Sequence, residues 1–180
     1  MNERFERIMS EVLIIEGSYS EHEDDSGGKT KYGITSWLAK QHGYTGKMKD
    51  MDWKTAKKIY WNEYFHGHNY DQIQNFDIAF EVMEQAINLP TITVNGRKVL
   101  KTNINLQKAI NLVSGRNIAV DGIVGSQTIK VVNSIDDTKL LHKTLNSYQA
   151  SHYLMLYEKY EWAETFIKGW LKKRVTFYGQ

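Results

Sequence analysis

The chain has 180 residues, of which 41% are hydrophobic, 12% aromatic and 24% charged, and its formal net charge is +2. This composition excludes a disordered chain and is sufficient for one compact unit with a sizeable core. The small net charge does not indicate nucleic-acid binding, and the absence of cysteine excludes disulfides and thiolate metal sites. No stretch is long and apolar enough to span a membrane, so we expect no stable membrane insertion.

The first predicted element is an amphipathic helix from Asn2 to Glu16, with Asn2 as its N-cap. Gly17 ends this helix, because glycine adopts the backbone conformation that stops one. An acidic, glycine-rich segment follows, and its polarity predicts a surface loop or a short hairpin. Glu16 therefore stands where an apolar helix meets a polar loop.

Three further helices are predicted before residue 90. Thr35 caps a short helix, and Asp52 caps a second one from Trp53 to about Phe65. The third runs from Phe76 to Leu89 and ends at Pro90, the chain's one proline. Its expected apolar stripe is Phe80, Met83 and Ile87.

A β-hairpin is predicted for residues 91–100, because Asn95-Gly96 between β-branched residues is a strong hairpin signal. Asn103 and Ser126 are the predicted N-caps of the next two helices. A long helix from Thr138 to about Tyr160 follows the acidic pair Asp136-Asp137, and a last helix begins near Glu164. The residues whose spacing indicates these last two helices are Leu141, Leu145, Tyr148, His152, Met155, Tyr157, Phe166, Ile167, Trp170 and Leu171.

Glu16 and Asp25 are the candidate catalytic pair. Glycoside hydrolysis commonly needs one protonated carboxyl group that donates to the leaving oxygen and a second carboxylate across the sugar ring. The negative end of a helix and an apolar neighbourhood both raise a carboxyl pKa, which suits Glu16 to the acid role. Asp25 lies in a polar loop, where a carboxylate stays ionised.

Two other interpretations use the same types of residue. In the first, Glu16 and the acidic loop are simply solvated surface residues, which is the common case for a glutamate at a helix end. In the second, the loop binds calcium through Glu23, Asp24 and Asp25. The loop lacks the alternating ligand spacing of an EF-hand. His66 and His68 lack an evident third metal ligand, so no metal site and no cofactor are predicted.

A long motif in this region resembles the signature of the glycoside hydrolase family 108 muramidases. The matching residues are Glu16-Gly-Ser-Tyr19 and Asp25-Ser-Gly-Gly-Lys-Thr30-Lys-Tyr32-Gly33-Ile-Thr35. The helix that ends in Ala86-Ile-Asn88 is similar to the family's helix ending in Ala-Val-Asn. Leu106-Gln107 with Val120-Asp121-Gly122-x-x-Gly125-x-x-Thr128 resembles its peptidoglycan-binding segment. The resemblance covers nearly the whole chain, including the terminal Gly169-Trp170.

The resemblance implies a mainly α, lysozyme-like fold with two lobes and one short β-hairpin. It implies a catalytic lobe at 1–90 and a hairpin with a helical peptidoglycan-binding lobe at 91–180, joined in one compact unit. The implied activity is cleavage of the β-1,4 bond between N-acetylmuramic acid and N-acetylglucosamine. Glu16 matches the family's catalytic glutamate, and Asp25 and Thr30 resemble the remaining positions of a phage-lysozyme arrangement.

The expected substrate-binding residues are Tyr19, Tyr32 and Asn88. Tyr19 and Tyr32, like Trp37 and Tyr64, either line a sugar cleft or belong to the core, which is the more common place for aromatic residues. The partner implied is the peptidoglycan glycan strand, bound by a monomer. Ser18, in place of a family glycine, and the 91–100 hairpin are departures from the pattern.

Two alternatives to a muramidase stay open at this point. A lytic transglycosylase needs an acid but no water-activating carboxylate, and a wall-binding module needs neither. The first residues lack the apolar core and cleavage site of a signal peptide. We therefore expect a protein made in the cytoplasm that reaches the cell wall or periplasm through a holin-type or other non-classical release.

Overall fold

The computed structural model describes residues 2–16, 19–20 and 30–175, with backbone alone for residues 13–16 and 19–20. The chain divides into two compact units, Met1–Gly67 and His68–Gln180. Each unit has its own buried apolar residues. The lobe boundary expected at residue 90 stays a prediction.

Helix α1, Glu3–Glu16, begins the first unit. Asn2 caps it as predicted, because its side-chain oxygen accepts a hydrogen bond from the Phe5 backbone N–H at 2.9 Å. Its inward face is fully buried at Phe5, Ile8, Met9 and Val12. The stop predicted at Gly17 lies outside the described residues.

Helices α2, Ser36–Gln41, and α3, Trp53–Tyr60, also begin at the predicted caps. The Thr35 hydroxyl accepts from the Leu38 N–H at 3.2 Å, and the Asp52 carboxylate accepts from the Thr55 N–H at 2.7 Å. The helix predicted to reach Phe65 changes at Trp61 into a π-helical turn, Trp61–Phe65. Phe5 packs edge-on against Trp61, with ring centroids 5.0 Å apart.

Three two-residue strands form an antiparallel sheet in this unit. Strand β1, Tyr19–Ser20, pairs with β2, Thr30–Lys31, which pairs with β3, Ile34–Thr35. The two ends of the predicted loop or hairpin are thus hydrogen-bonded to each other. Tyr32 and Gly33 connect β2 to β3, with φ values of 53° and 75°. Two consecutive positive φ angles are typical of the tight turns that join antiparallel strands.

The second unit contains helix α4, Phe76–Asn88, and a hairpin of β4, Thr91–Val94, and β5, Arg97–Leu100. Asn75 caps α4 through a 3.0 Å bond from the Ile78 N–H. Asn95 and Gly96 form the predicted turn, with φ values of 49° and 76°. The β-hairpin prediction is confirmed residue by residue.

The remaining helices are α5, Lys101–Ser114; α6, Ser126–Val132; α7, Thr138–Lys159; and α8, Glu164–Arg174. Asp137 caps α7 by accepting from the Leu140 N–H at 2.9 Å. Helix α4 packs against α5 and α7, and α8 packs against α7. This bundle of helices holds the second unit's core.

Two predicted caps are wrong. Leu100 occupies the N-cap position of α5, so Asn103 lies inside the helix, fully buried and bonded to other segments. Gly125 is the N-cap of α6, so Ser126 is its first helical residue. Both asparagine and serine are good local caps, but tertiary hydrogen bonds decided the place of Asn103.

Several apolar residues of the predicted helices are not fully buried. Met155, Tyr157 and Phe166 are exposed, and Phe80 and Ile87 are only half-buried. Polar side chains take part of the buried face instead. The buried polar residues of α4 and α7 are Glu81, Glu84, Gln85, His142, Asn146, Gln149 and His152.

The mainly α fold with a short β-hairpin is confirmed. Within the described ranges, no helix combines the length and the apolar character that crossing a membrane requires.

Candidate active site

The first candidate catalytic residue stands at the end of a helix. Glu16 is the last residue of α1, and the chain enters strand β1 at Tyr19, three positions later. Only the backbone of Glu16 is described, so the acid role predicted for its side chain stays a prediction. The backbone thus places Glu16 where the sequence predicted a helix to meet a polar segment.

Asp25 lies outside the described residues, as do its neighbours Glu23 and Asp24. Its two flanking strands are described: Tyr19 pairs with Lys31, and Ser20 pairs with Thr30. The predicted role of Asp25 stays a prediction.

Thr30 and Tyr32 belong to the same small sheet and turn. Thr30 is half-buried in β2 and pairs with Ser20 on one side and with Thr35 on the other. The Tyr32 carbonyl accepts a hydrogen bond from the Tyr60 hydroxyl at 2.7 Å. This bond fixes the β2–β3 turn to helix α3.

The Tyr32 ring has a cationic and an aromatic neighbour. The Lys31 ammonium lies 4.9 Å from its centroid, and the Trp53 ring lies 5.2 Å away at 60°. Tyr32 is only half-buried, so part of its surface is accessible. Trp37, another aromatic residue considered for a sugar cleft, is 66% exposed.

Asn88, the third predicted substrate-binding residue, belongs to the second unit. It is the last residue of α4, and its amide donates to the Glu84 backbone carbonyl and to Glu84 Oε1, both at 2.8 Å. The described residues therefore bring Tyr19, Thr30 and Tyr32 together around one sheet at the end of α1. Asn88 belongs to a group of side chains around Glu84 in the second unit.

That group centres on Glu84, which the sequence analysis did not single out. Its carboxylate accepts from Gln149 Nε2 at 2.7 Å and from Arg174 Nη1 at 2.8 Å. Burial, and then the charge of Glu81, raise the pKa of Glu84 to about 7, although Arg174 and Gln149 act in the opposite direction. A carboxyl group in this range exchanges its proton near neutral pH.

Glu81 extends the group along α4. Its Oε1 accepts from Gln85 Nε2 at 2.6 Å, and its Oε2 lies 3.3 Å from His142 Nε2. The spacing of Glu81, Glu84 and Asn88 along one helix was the available signal, because such positions share a face. That face is the buried one.

The two histidines considered as metal ligands have other contacts. The His66 ring stacks on Trp61 with centroids 5.8 Å apart, and His68 Nδ1 lies 3.1 Å from Asn103 Nδ2. Among the residues that the structure describes, no three His, Asp or Glu side chains are grouped to hold a metal.

Comparisons with known proteins identify both parts of the chain. Residues 9–89 match the family model described as glycosyl hydrolase 108, a range that contains Glu16, Asp25 and Thr30. The chain carries a glycosyl hydrolase 108 domain. Residues 102–175 match a second family model, described as a predicted peptidoglycan domain. The protein is therefore a glycoside hydrolase that acts on peptidoglycan.

A solved structure shows the same fold. SagA from Brucella abortus superimposes with a TM-score of 0.67, covering 94% of this chain and 88% of its own, at 22% sequence identity. Identity this low carries the fold and nothing more. No curated protein is similar enough to this chain to count as a match.

Proposed function

We propose that the protein is an N-acetylmuramidase, which hydrolyses the β-1,4 bond between N-acetylmuramic acid and N-acetylglucosamine. The observation that supports this most is that the glycosyl hydrolase 108 match contains Glu16 at the end of α1. Glu16 is the general acid that protonates the glycosidic oxygen. Its place at a helix C-terminus favours the protonated form that this role needs.

Asp25 is the second carboxylate of the proposed mechanism. It stabilises the positive charge that develops on the sugar, or it activates the attacking water together with Thr30. The antiparallel pairing of Ser20 with Thr30 supports this role, because it holds the two ends of the segment that carries Asp25. Tyr19, Tyr32 and Asn88 bind the substrate.

The test is digestion of purified peptidoglycan by the wild-type protein and by Glu16→Gln, followed by mass analysis of the fragments. Loss of a positioned general acid typically costs about 10²–10⁴-fold in rate, so Glu16→Gln should release almost nothing. Glu11→Gln is the matched control, since Glu11 is an exposed glutamate on the same helix. Equal activity of the two variants would remove Glu16 from the mechanism.

The fragments also separate the proposal from its alternatives. A muramidase leaves a reducing N-acetylmuramic acid end, whereas a lytic transglycosylase leaves a 1,6-anhydro end that is lighter by one water. A wall-binding module pellets with peptidoglycan and releases no fragments. Asp25→Asn should reduce hydrolysis more than Glu23→Gln or Asp24→Asn.

We further propose that the protein acts on the cell wall or in the periplasm after a holin-type or other non-classical release. The support is its substrate class, since peptidoglycan lies outside the cytoplasmic membrane. Fractionation of producing cells before and after lysis tests the route. Export by growing, intact cells through a cleaved leader would contradict it.

A further inference from the structure

The second unit contains a cavity of about 330 Å³ whose lining includes Asn88, His152, Tyr153, Trp162 and Trp170. This volume lies at the lower end of the range of about 300–1,000 Å³ that is usual for small-ligand sites. Most of the lining residues, from His152 onward, belong to the region that matches the predicted peptidoglycan domain. Asn88, one of the proposed substrate-binding residues, is among those that line this cavity.

Aromatic rings form two walls of the cavity. Trp170 stacks on Tyr153 with centroids 5.1 Å apart, and Trp162 stands at 78° to Trp170 at 6.0 Å. Trp162 is 52% exposed although it is a large aromatic residue. A pyranose ring has one apolar C–H face, and the negative face of an aromatic ring attracts those hydrogens. Trp170 also stacks on Phe166, and Trp162 stacks on Tyr160, each with centroids 5.8 Å apart. Trp162, the more exposed of the two indoles, is therefore the ring offered to a sugar.

His152 supplies a hydrogen-bond donor beside these rings. It is only 7% exposed, and its Nδ1 lies 2.8 Å from the Lys101 ammonium, which can only donate. Burial, and then the charge of Lys101, lower the pKa of His152 to about 4, so the ring is neutral at pH 7. A neutral imidazole that accepts at Nδ1 carries its proton on Nε2. Within the described part of the chain, no group pairs with Nε2.

Asn88 supplies an acceptor. Its Nδ2 donates to the Glu84 backbone carbonyl, an atom that can only accept, and this fixes the orientation of the amide. Its Oδ1 has no partner among the residues that the structure describes. Two of the residues that line the cavity thus supply one donor and one acceptor without a partner among the described residues.

We propose that this cavity binds an N-acetylated sugar of the glycan strand. The acetamido group has one carbonyl and one N–H, and it pairs with the His152 donor and the Asn88 acceptor while the sugar ring stacks on Trp162. An apolar ligand would cover the His152 N–H without pairing it, which is unfavourable. The proposal rests on the proposed function for the source of the sugar, and it gives the peptidoglycan domain a defined site.

The binding test uses the full chain with Glu16→Gln, so that ligands stay intact during calorimetry. Chitotetraose is the probe, and cellotetraose, which has the same β-1,4 backbone without acetamido groups, is the matched control. We expect cellotetraose to bind at least tenfold more weakly. Equal affinities would overturn the acetamido assignment, and no binding of chitotetraose would overturn the sugar site.

Adding Trp162→Ala to the Glu16→Gln protein tests whether chitotetraose binds in the cavity. Trp162→Ala should weaken chitotetraose binding about tenfold or remove one binding site. Tyr157→Ala is the control, because Tyr157 is a 47% exposed aromatic residue that does not line the cavity. Unchanged affinity and stoichiometry in Trp162→Ala, with its melting temperature kept, would overturn the proposal. Failure of the proposed function shows separately, as a wild-type digest of peptidoglycan without fragments that end in reducing N-acetylmuramic acid.

Discussion

Arg174 Nη1 donates a hydrogen bond to Glu84 Oε1 at 2.8 Å, although the two residues are 90 positions apart. The bond joins the end of α8 to α4, and both side chains are largely buried. Gln149 Nε2 donates to the other carboxylate oxygen of Glu84 at 2.7 Å. The pKa of Glu84 is nevertheless raised to about 7, so burial outweighs its partners. The charge state of Glu84 therefore controls how much the ion pair stabilises the second unit.

Arg174→Met should destabilise the protein more at pH 8 than at pH 5.5. At pH 8 Glu84 is ionised, and removing one partner of a buried ion pair costs about 3–5 kcal/mol. At pH 5.5 Glu84 takes up a proton and the penalty falls. Urea unfolding at the two pH values measures the difference.

Lys172→Met is the matched control for this change, because Lys172 is an exposed cation on the same helix. We expect its effect to stay within about 0.5 kcal/mol. A loss in Arg174→Met that is the same at both pH values would mean that Glu84 does not titrate between them.

Glu84→Gln should gain stability relative to the wild type as the pH rises. The folded-state pKa of about 7 lies above the ordinary value of 4.5. The wild-type carboxyl group therefore contributes stability that is fully present below pH 4.5 and is lost as the pH rises through 7. The difference between variant and wild type should change by on the order of 3 kcal/mol across this window.

Two neighbours bear on the Glu84→Gln measurement. Gln149 Oε1 is buried without a partner among the described residues, so the Gln149 side-chain amide can rotate and accept a hydrogen bond from the amide that this substitution introduces.

His152 changes stability with pH in the opposite direction. Because its pKa is lowered in the folded state, it contributes stability above pH 6.5 that is lost as the pH falls towards about 4. His152 is present in both proteins and cancels in the comparison. A difference that is flat between pH 4.5 and 8 would contradict the raised pKa of Glu84.

Gly122→Ala should be more destabilising than Gly115→Ala. Both glycines have positive φ angles, 79° and 67°, so each substitution costs about 1–2 kcal/mol in backbone strain. A Cβ at Gly122 would also lie 2.6 Å from Val99 Cβ, whereas a Cβ at Gly115 would meet nothing within 4 Å. We expect a further loss of about 1–3 kcal/mol for Gly122→Ala, measured by chemical unfolding. Equal losses would mean that Val99 moves aside freely.

Local patterns predicted the elements whose ends depend on neighbouring residues alone. The caps at Asn2, Thr35 and Asp52 belong to this class, since each needs only a side chain three positions from the N–H it accepts from, and so does the turn at Asn95. On α4, the expected apolar stripe is incomplete, because Phe80 and Ile87 are only half-buried. Its buried face instead carries Glu84, whose partners come from α7 and α8 and leave no trace in local periodicity.

The candidate site was predicted from a motif, and the structure adds its backbone frame. The motif identified Glu16, and helix α1 ends at that residue. The cavity beside His152 could not be found in this way. Its donor depends on Lys101, 51 positions away, and on burial that only the folded chain produces.

Asn103→Ala should be strongly destabilising, because this residue links three segments from inside α5. Its Oδ1 accepts from the Tyr70 hydroxyl at 2.5 Å, and its Nδ2 donates to the Gly122 carbonyl at 2.9 Å. Removal leaves these buried groups without this partner, so we expect a loss of about 3 kcal/mol in urea unfolding. Lys108→Ala, an exposed position on the same helix, should change stability by less than about 0.5 kcal/mol.

A double-variant cycle with Tyr70→Phe separates the hydrogen bond from the cavity that Asn103→Ala leaves. Tyr70→Phe alone removes the hydroxyl donor and should cost about 1–2 kcal/mol. In the double variant neither partner is left unpaired, so the combined loss should be smaller than the sum of the two single losses by about 1 kcal/mol. Strict additivity would show that the bond between Tyr70 and Asn103 adds no coupling, and the loss in Asn103→Ala would then come from Gly122 and from packing.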